Sequence, residues 1–283
     1  MSNYDHREDE MENPGQSNKP VSRIRLRDGR WLAYAEYGDK TGKPVIYAHG
    51  APGSRLCRYP DPSVAASMGA HIIVPDRPGY GYSDFHPGRK RLDWPDDLLE
   101  LIEALDLDRF AIYGFAGGAQ YAIACAYKIP ERITRAGAVN CLCPLTDSDS
   151  YKGIVPINRI GYTMAGYLPW PLWRLIVRFR FRDAHTDPDR FFDQMVARMP
   201  AFDRELISRP DLRDMMTANS SEAFRAGARG YAWDARVIAR SWDFPLDHII
   251  SDVYLWYGED NTRVPVSMGR HLAQSIPNSH STV

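Results

Sequence analysis

The chain has 283 residues, a length that suits one large domain or a core with an insertion. Hydrophobic residues make up 44% of it, which is an ordinary fraction for a protein with a buried core. Its 35 basic and 36 acidic residues give a net charge of −1, so the charge balance does not favour nucleic acid as a partner. The four cysteines lack metal-ligand spacing, and no run of about 18 apolar residues predicts a membrane span.

The first twenty residues are polar and interleave Asp, Glu, Asn and Lys without an apolar stretch. This composition predicts a disordered tail at 1–20 and no secretory signal, so a cytoplasmic location is expected. Residues 21–38 then predict a β-hairpin, because apolar and polar residues alternate on both sides of a turn at Asp28-Gly29.

Short apolar runs alternate with helical periodicity through the next hundred residues. Runs that are typical of buried strands occur at 45–48, 71–74, 110–113 and 136–140. The clearest helical stretch is 117–129, which Pro130 ends. Strands that alternate with helices predict parallel βαβ units, and therefore an α/β fold with a mostly parallel sheet flanked by helices.

This rhythm breaks between residues 145 and 240, where Arg, Trp, Phe and Met recur at helical spacing. A predicted helix has an apolar stripe and an arginine stripe. The apolar stripe comprises Leu172, Leu175, Ile176 and Phe179, and the arginine stripe comprises Arg174, Arg178 and Arg182. A helical insertion between the halves of a sheet predicts a cap whose arginine face is solvated, although such a helix could instead lie on a membrane surface. Aromatic residues that either line a pocket or pack in the core of the insertion are Trp170, Trp173, Phe179, Tyr231 and Trp233.

Residues 114–118, with the sequence Gly-Phe-Ala-Gly-Gly, follow a predicted strand and open a predicted helix. They keep the frame of the nucleophile elbow, G-x-S-x-G, a sharp turn that raises a serine oxygen above the sheet. Ala116 has a methyl group at the position of the attacking oxygen. The motif therefore predicts the backbone of the elbow without its nucleophile.

Three further motifs follow predicted strands in a fixed order. They are the His49–Gly53 stretch after the run at 45–48, the Asp76–Asp84 stretch after the next run, and the Gly258–Pro265 stretch after a late one. Together with the elbow, these motifs resemble the α/β-hydrolase superfamily, specifically the small-molecule hydrolases with a helical cap. The resemblance covers roughly residues 21–283.

The resemblance implies an organisation for the whole chain. Residues 21–144 would form the first part of an α/β-hydrolase core, residues 145–240 an inserted helical cap, and residues 241–283 the second part of the core. Compared with the family pattern the last strand stops early, so the core is expected to be truncated at its C-terminal end. An open sheet edge would follow, and self-association through that edge is expected.

The family pattern also implies an oxyanion hole. The backbone N–H of Ala51 and the backbone N–H of Gly117, the residue after the nucleophile position, would bind a developing oxyanion. His49 is expected to support its own loop, because the matching histidine of the family is not the catalytic base.

The positions of the acid and the base depart from the family pattern. The acid position falls on Asn261, whose amide cannot stabilise the imidazolium that forms when a histidine takes a proton. Asp260 could substitute as the acid only if the loop were reset. His280 lies at the start of the last strand, the wrong end for a base, and His271 is expected to be solvated on the preceding helix. Efficient serine-type hydrolysis is therefore not expected.

Three interpretations stay open at this point, and whether the chain is an enzyme is undecided. The chain could derive from a small-molecule carboxylic-ester or amide hydrolase, as a pseudoenzyme, a truncated gene product or an inactivated form. It could be a binding module that holds a small acyl or carbonyl ligand without cleaving it. It could also be a non-hydrolytic catalyst of cyclisation or elimination, with acid–base work by Asp260, Tyr113 or Cys141. None of these interpretations requires a metal or a cofactor.

Overall fold

A computed structural model describes residues 21–145, 152–197, 199, 201–261 and 263–283. The tail predicted at 1–20 lies outside these described residues. The strands are β1 Ser22–Arg25, β2 Trp31–Gly38, β3 Lys43–Ala48, β4 Ala70–Pro75, β5 Phe110–Phe115, β6 Ile133–Val139, β7 Val253–Trp256 and β8 Ser279–Thr282. The α-helices are α1 Pro62–Ser67, α2 Trp94–Ala104, α3 Ala119–Lys128, α4 Pro156–Tyr167, α5 Trp170–Arg180, α6 Asp183–Thr186, α7 Pro188–Val196, α8 Ala201–Ile207, α9 Pro210–Ala223, α10 Arg229–Ala239 and α11 Val266–Ser275.

The chain divides into two compact units, and each unit is assembled from separate stretches of sequence. The first unit comprises the described residues of 21–43, 52–86 and 174–231, and the second those of 44–51, 87–173 and 232–283. Among the described residues of 145–240 the regular secondary structure is helical, as the residue spacing predicts. The boundaries of a cap at 145 and 240 stay a prediction.

The strands of the first unit are antiparallel. β1 pairs with β2, with Arg25 opposite Trp31, which confirms the predicted hairpin. β2 also pairs antiparallel with β4, with Gly38 opposite His71. The sequence pattern left the direction of this pairing open, because apolar periodicity identifies a strand but not its direction or its neighbour.

The strands of the second unit are parallel and follow the order β3-β5-β6-β7-β8. One row of mutually paired residues crosses all five strands, namely Tyr47, Tyr113, Gly137, Tyr254 and His280. Because the strands are parallel, the loops that follow them all lie at the carboxyl ends of the strands, on the same side of the sheet. The predicted fold class, a mostly parallel sheet flanked by helices, is confirmed.

Helices cover the sheet of the second unit because their apolar faces need burial. α3 packs against β5 and β6, and its residues from Ala119 to Ala126 are buried, as expected of a helix that is apolar on almost every side. α11 packs against β7 and β8 and buries Met268 and Leu272. The elbow therefore lies between a buried strand and a buried helix.

The helices of the first unit pack around their own apolar cluster. Its buried members are Tyr80, Ala184, Phe191, Ala223 and Phe224. In the same unit Asp76 is fully buried and accepts hydrogen bonds from Arg55 and from the backbone N–H of Tyr82. The Asp76–Asp84 stretch thus has the structural role that its glycine-rich sequence suggests.

Candidate functional site

A short 3₁₀ turn, Ala116–Gly118, joins β5 to α3 and forms the elbow. Ala116 has a φ of 50°, in the left-handed region that residues with a side chain seldom adopt. Its methyl group is half-buried, so the apex of the turn is partly accessible. The backbone therefore has the form of a nucleophile turn, while the side chain at its apex cannot attack.

Glycines on both sides of Ala116 hold this conformation. A Cβ atom on Gly114 would lie 2.6 Å from the Cα atom of Ala119, and one on Gly118 would lie 2.8 Å from the carbonyl carbon of Ala48. No side chain fits at either position, so strand and helix approach as closely as backbones can. The left-handed conformation costs about 1–2 kcal/mol, which the surrounding packing offsets.

The loop after β3 lies against the elbow. A Cβ atom on Gly117 would lie 2.9 Å from the Cβ atom and 3.5 Å from the backbone nitrogen of Ala51. The two residues that were predicted to donate to an oxyanion are therefore neighbours, although this role stays a prediction. His49 is fully buried, and its Nδ1 donates to the carbonyl oxygen of Gly50 at 2.8 Å. That contact agrees with the expected support of its own loop.

The loop after β7 contains the predicted acid position. The Oδ1 atom of Asn261 accepts hydrogen bonds from the backbone N–H groups of Arg263 at 2.9 Å and Val264 at 3.0 Å. The side chain of Asn261 therefore stabilises its own loop. Asp260, which was considered as a substitute acid, is exposed. The assignment of either residue as a catalytic position stays a prediction.

Asn140 lies near the elbow, and sequence reasoning did not single it out. It follows β6 with a φ of 49°, next to Val139, which pairs with Phe115 beside the elbow. Its Oδ1 atom accepts a hydrogen bond from the backbone N–H of Gly258 at 3.2 Å, so it joins the loops after β6 and β7. The sequence signal for its backbone conformation was an asparagine directly after a predicted strand, since this residue type tolerates the left-handed region.

The strand register places His280 far from the elbow. His280 pairs with Tyr254 in the row that contains Tyr113, three residues before Ala116. Three steps between neighbouring strands separate His280 from β5, which is about 14 Å. Its ring stacks on Tyr254 at 4.9 Å between centroids, and its Nε2 lies 3.7 Å from a carboxylate oxygen of Asp252. His271 is exposed on α11, as predicted.

Two other residues were considered for acid–base work without a serine. Burial raises the pKa of the Cys141 thiol well above its ordinary value, so this thiol stays protonated and inert at neutral pH. The ring of Tyr113 stacks on that of Tyr47 with 4.5 Å between centroids. Both groups therefore have environments that are typical of packing residues.

A buried polar network lies behind the elbow in the second unit. The hydroxyl of Tyr121, on the first turn of α3, donates to Asp234 at 2.6 Å and accepts from Arg89 at 2.5 Å. Arg89 also pairs with Asp234 at 2.8 Å, and all three side chains are buried. This network ties the start of α3 to α10. Sequence patterns gave no sign of it, because charged residues are usually exposed.

The aromatic candidates of the insertion have different surroundings. Trp173 is buried and donates to the carbonyl oxygen of Ala232, and the ring of Trp170 packs edge-on against that of Trp233. Tyr231 packs against Phe181 in the apolar cluster of the first unit. Phe179 is 63% exposed, so its expected place in a core or a pocket is wrong. The apolar residues of α5 lie on two sides of the helix, and only one side is buried.

Two kinds of site are not found in the part of the chain that the structure describes. In the described ranges, no group of three or more His, Cys, Asp or Glu residues is placed to hold a metal ion. Over the same ranges, no helix combines the length and the apolar character that crossing a membrane requires.

Comparison with known proteins yields one family and many relatives. The profile described as the alpha/beta hydrolase family matches residues 45–281. A proline iminopeptidase of Xylella fastidiosa is 32% identical over 189 residues, which is 64% of this chain and 50% of that protein. An uncharacterized hydrolase of Saccharomyces cerevisiae is 32% identical over 117 residues, which is 40% of this chain and 39% of that protein. The chain thus spans half or less of these two relatives.

The solved structure of an esterase from Exiguobacterium antarcticum has a similar fold. It superimposes with a TM-score of 0.68 over 93% of this chain and 90% of that protein, at 18% sequence identity. At this identity the likeness shows a shared fold only.

Proposed function

We propose that this chain, which belongs to the alpha/beta hydrolase family, binds a small ligand with a carbonyl or carboxylate oxygen at its elbow and does not hydrolyse that ligand. The observation that carries the proposal is the methyl group of Ala116 at the apex of an otherwise complete elbow. The chain is related to hydrolases. We propose that its ancestor cleaved carboxylic esters or amides.

The case against hydrolysis rests on the residues at the apex and in the loop after β7. A methyl group at position 116 removes the nucleophile, and an amide at position 261 removes the charge that a catalytic histidine needs. Replacing the acid alone by its amide costs about 10⁴-fold in turnover, and losing a whole triad costs about 10⁶-fold. A 10⁶-fold loss in turnover corresponds to an activation free energy that is higher by about 8 kcal/mol.

The case for binding rests on the backbone around the elbow. The loop at Ala51 and the residue after the apex, Gly117, bring two backbone N–H groups into the same neighbourhood. The N-terminus of α3 begins at this turn, and its partial positive charge favours an oxygen that carries negative charge. The ligand oxygen would lie between the two N–H groups, beside the methyl group of Ala116.

The first test measures hydrolysis. The wild-type chain and Ala116→Ser are assayed with p-nitrophenyl esters of short and medium chain length. We expect both to remain at the buffer rate, because Ala116→Ser restores an oxygen but leaves an amide at position 261. Ester cleavage by the wild type that disappears in Ala116→Leu would contradict the proposal, because that variant fills the space above the elbow.

The second test measures binding by the rise in melting temperature with alkyl carboxylates and methyl ketones. We expect a rise that grows with the logarithm of ligand concentration in the wild type. Ala116→Leu should abolish the rise, because its side chain would occupy the place of the ligand. Ala116→Gly is the matched control and should keep it, since both backbone donors remain. The absence of any rise, or a rise that Ala116→Leu does not change, would contradict binding at the elbow.

A further inference from the structure

Helix α5 has apolar side chains on two sides, and only one side is packed. Trp173 and Val177 are buried at 7% and 2% exposure. Leu172, Leu175 and Phe179 are 47%, 48% and 63% exposed. At 3.6 residues per turn these three exposed side chains fall within an arc of about 60°. They form a continuous apolar stripe that the described structure leaves uncovered.

Arginines border this stripe on both sides. By the same helical geometry, Arg174 and Arg178 lie along one edge of the stripe and Arg180 lies towards the other, and all three are exposed. A solvated arginine face, which the sequence pattern suggests, explains the arginines but not the apolar residues between them. An exposed apolar stripe between rows of basic residues is typical of a helix that lies in a membrane interface.

Helix α4 repeats this combination. Ile157, Ile160 and Tyr167 are 72%, 54% and 86% exposed, and Arg159 is exposed beside them. The 31 residues from Lys152 to Arg182 contain six basic residues and no acidic one. This segment is therefore strongly positive, whereas the chain as a whole has a net charge of −1.

We propose that α5 forms a membrane-binding surface that docks on anionic phospholipid. The exposed apolar side chains, with Phe179 and Leu175 at the centre of the α5 stripe, would enter the boundary between headgroups and acyl chains. The arginines would contact lipid phosphates. Charge complementarity selects this occupant, because a segment without a single carboxylate attracts a negatively charged surface. Docking of this kind places α5 on the membrane and requires no span.

The experiment uses the full chain and sedimentation with vesicles of two compositions, phosphatidylcholine alone and phosphatidylcholine with phosphatidylserine. We expect the protein to sediment with the vesicles that contain phosphatidylserine, and to be released as salt is added. Leu175→Ser with Phe179→Ser should weaken binding about tenfold or more, through lost apolar contact. Arg174→Gln with Arg178→Gln should weaken it about 25-fold, since each arginine contributes roughly fivefold.

A matched control is available on α8, where Phe202 and Leu206 are 78% and 45% exposed but Asp203 and Glu205 lie beside them. Phe202→Ser with Leu206→Ser removes similar side chains from a helix that is not basic, and it should leave vesicle binding unchanged. Equal loss in this control would overturn the proposal, as would no sedimentation with either vesicle.

Sedimentation velocity without lipid tests whether a second copy of the chain covers the apolar stripe of α5 instead. A dimer that forms in the wild type and disappears in the Leu175→Ser and Phe179→Ser variant would show that a second copy covers the stripe, and this would also overturn the proposal. All these changes are at exposed positions, so circular dichroism should show an unchanged fold in every variant.

Discussion

The elbow and the loop after β7 both follow carboxyl ends of parallel strands. They differ in what holds them in shape. At the elbow, glycines at positions 114 and 118 determine the turn, and the side chain of Ala116 contributes little. In the loop after β7, a side chain itself supports the backbone, because Asn261 accepts hydrogen bonds from two backbone N–H groups. Close backbone packing therefore maintains the elbow, whereas a side-chain acceptor maintains the loop after β7.

The sharpest test of the role of packing is Gly118→Ala. The added methyl group would lie 2.8 Å from the carbonyl carbon of Ala48, in backbone that cannot move without separating β3 from α3. We expect a loss of about 3 kcal/mol or more in the free energy of unfolding, measured in urea. Gly161→Ala is the control, because no atom lies within 4 Å of the Cβ position at Gly161. It lies inside α4 and should gain about 0.5–1 kcal/mol.

Asn261→Ala tests whether the side chain supports the loop. It removes the acceptor of two backbone N–H groups, so we expect a loss of about 1–2 kcal/mol in the free energy of unfolding. Asn261→Asp keeps an acceptor oxygen in place and should lose no more than about 0.5 kcal/mol. If both variants were equally unstable, the amide NH₂ group rather than Oδ1 would be the important contact, and the comparison between the two regions would need revision.

The smallest effect is expected at the apex of the elbow. Ala116→Gly removes the cost of about 1–2 kcal/mol that the left-handed conformation imposes on alanine, which stabilises the folded state. Glycine also has more backbone entropy in the unfolded state, which opposes this gain by about 0.5–1 kcal/mol. We expect a net gain of about 1 kcal/mol or less, measured by the same unfolding curves. A clear loss of stability would mean that the methyl group packs better than its half-buried position indicates, and that the apex is not passive.

Local patterns were sufficient to predict the elbow. Gly114, Gly117 and Gly118 meet a steric requirement that spans only a few residues, so the motif identifies the turn wherever the chain places it. The same holds for the position of Asn261, which follows from counting along a loop after a strand. The hairpin at 21–38 was also predictable, because its alternation and its turn are contiguous in sequence.

The sequence by itself determined the fold class, the order of the strands along the chain and the methyl group at the elbow apex, because these depend on periodicity and on short motifs. Only the tertiary structure decided which face of α5 is buried, that β2 pairs antiparallel with β4, and that Arg89, Tyr121 and Asp234 meet in the interior. Each of these depends on residues far apart in the chain that compete for burial. The free energy gained by burying one residue rather than another depends on the tertiary packing, so no single stretch of sequence determines it.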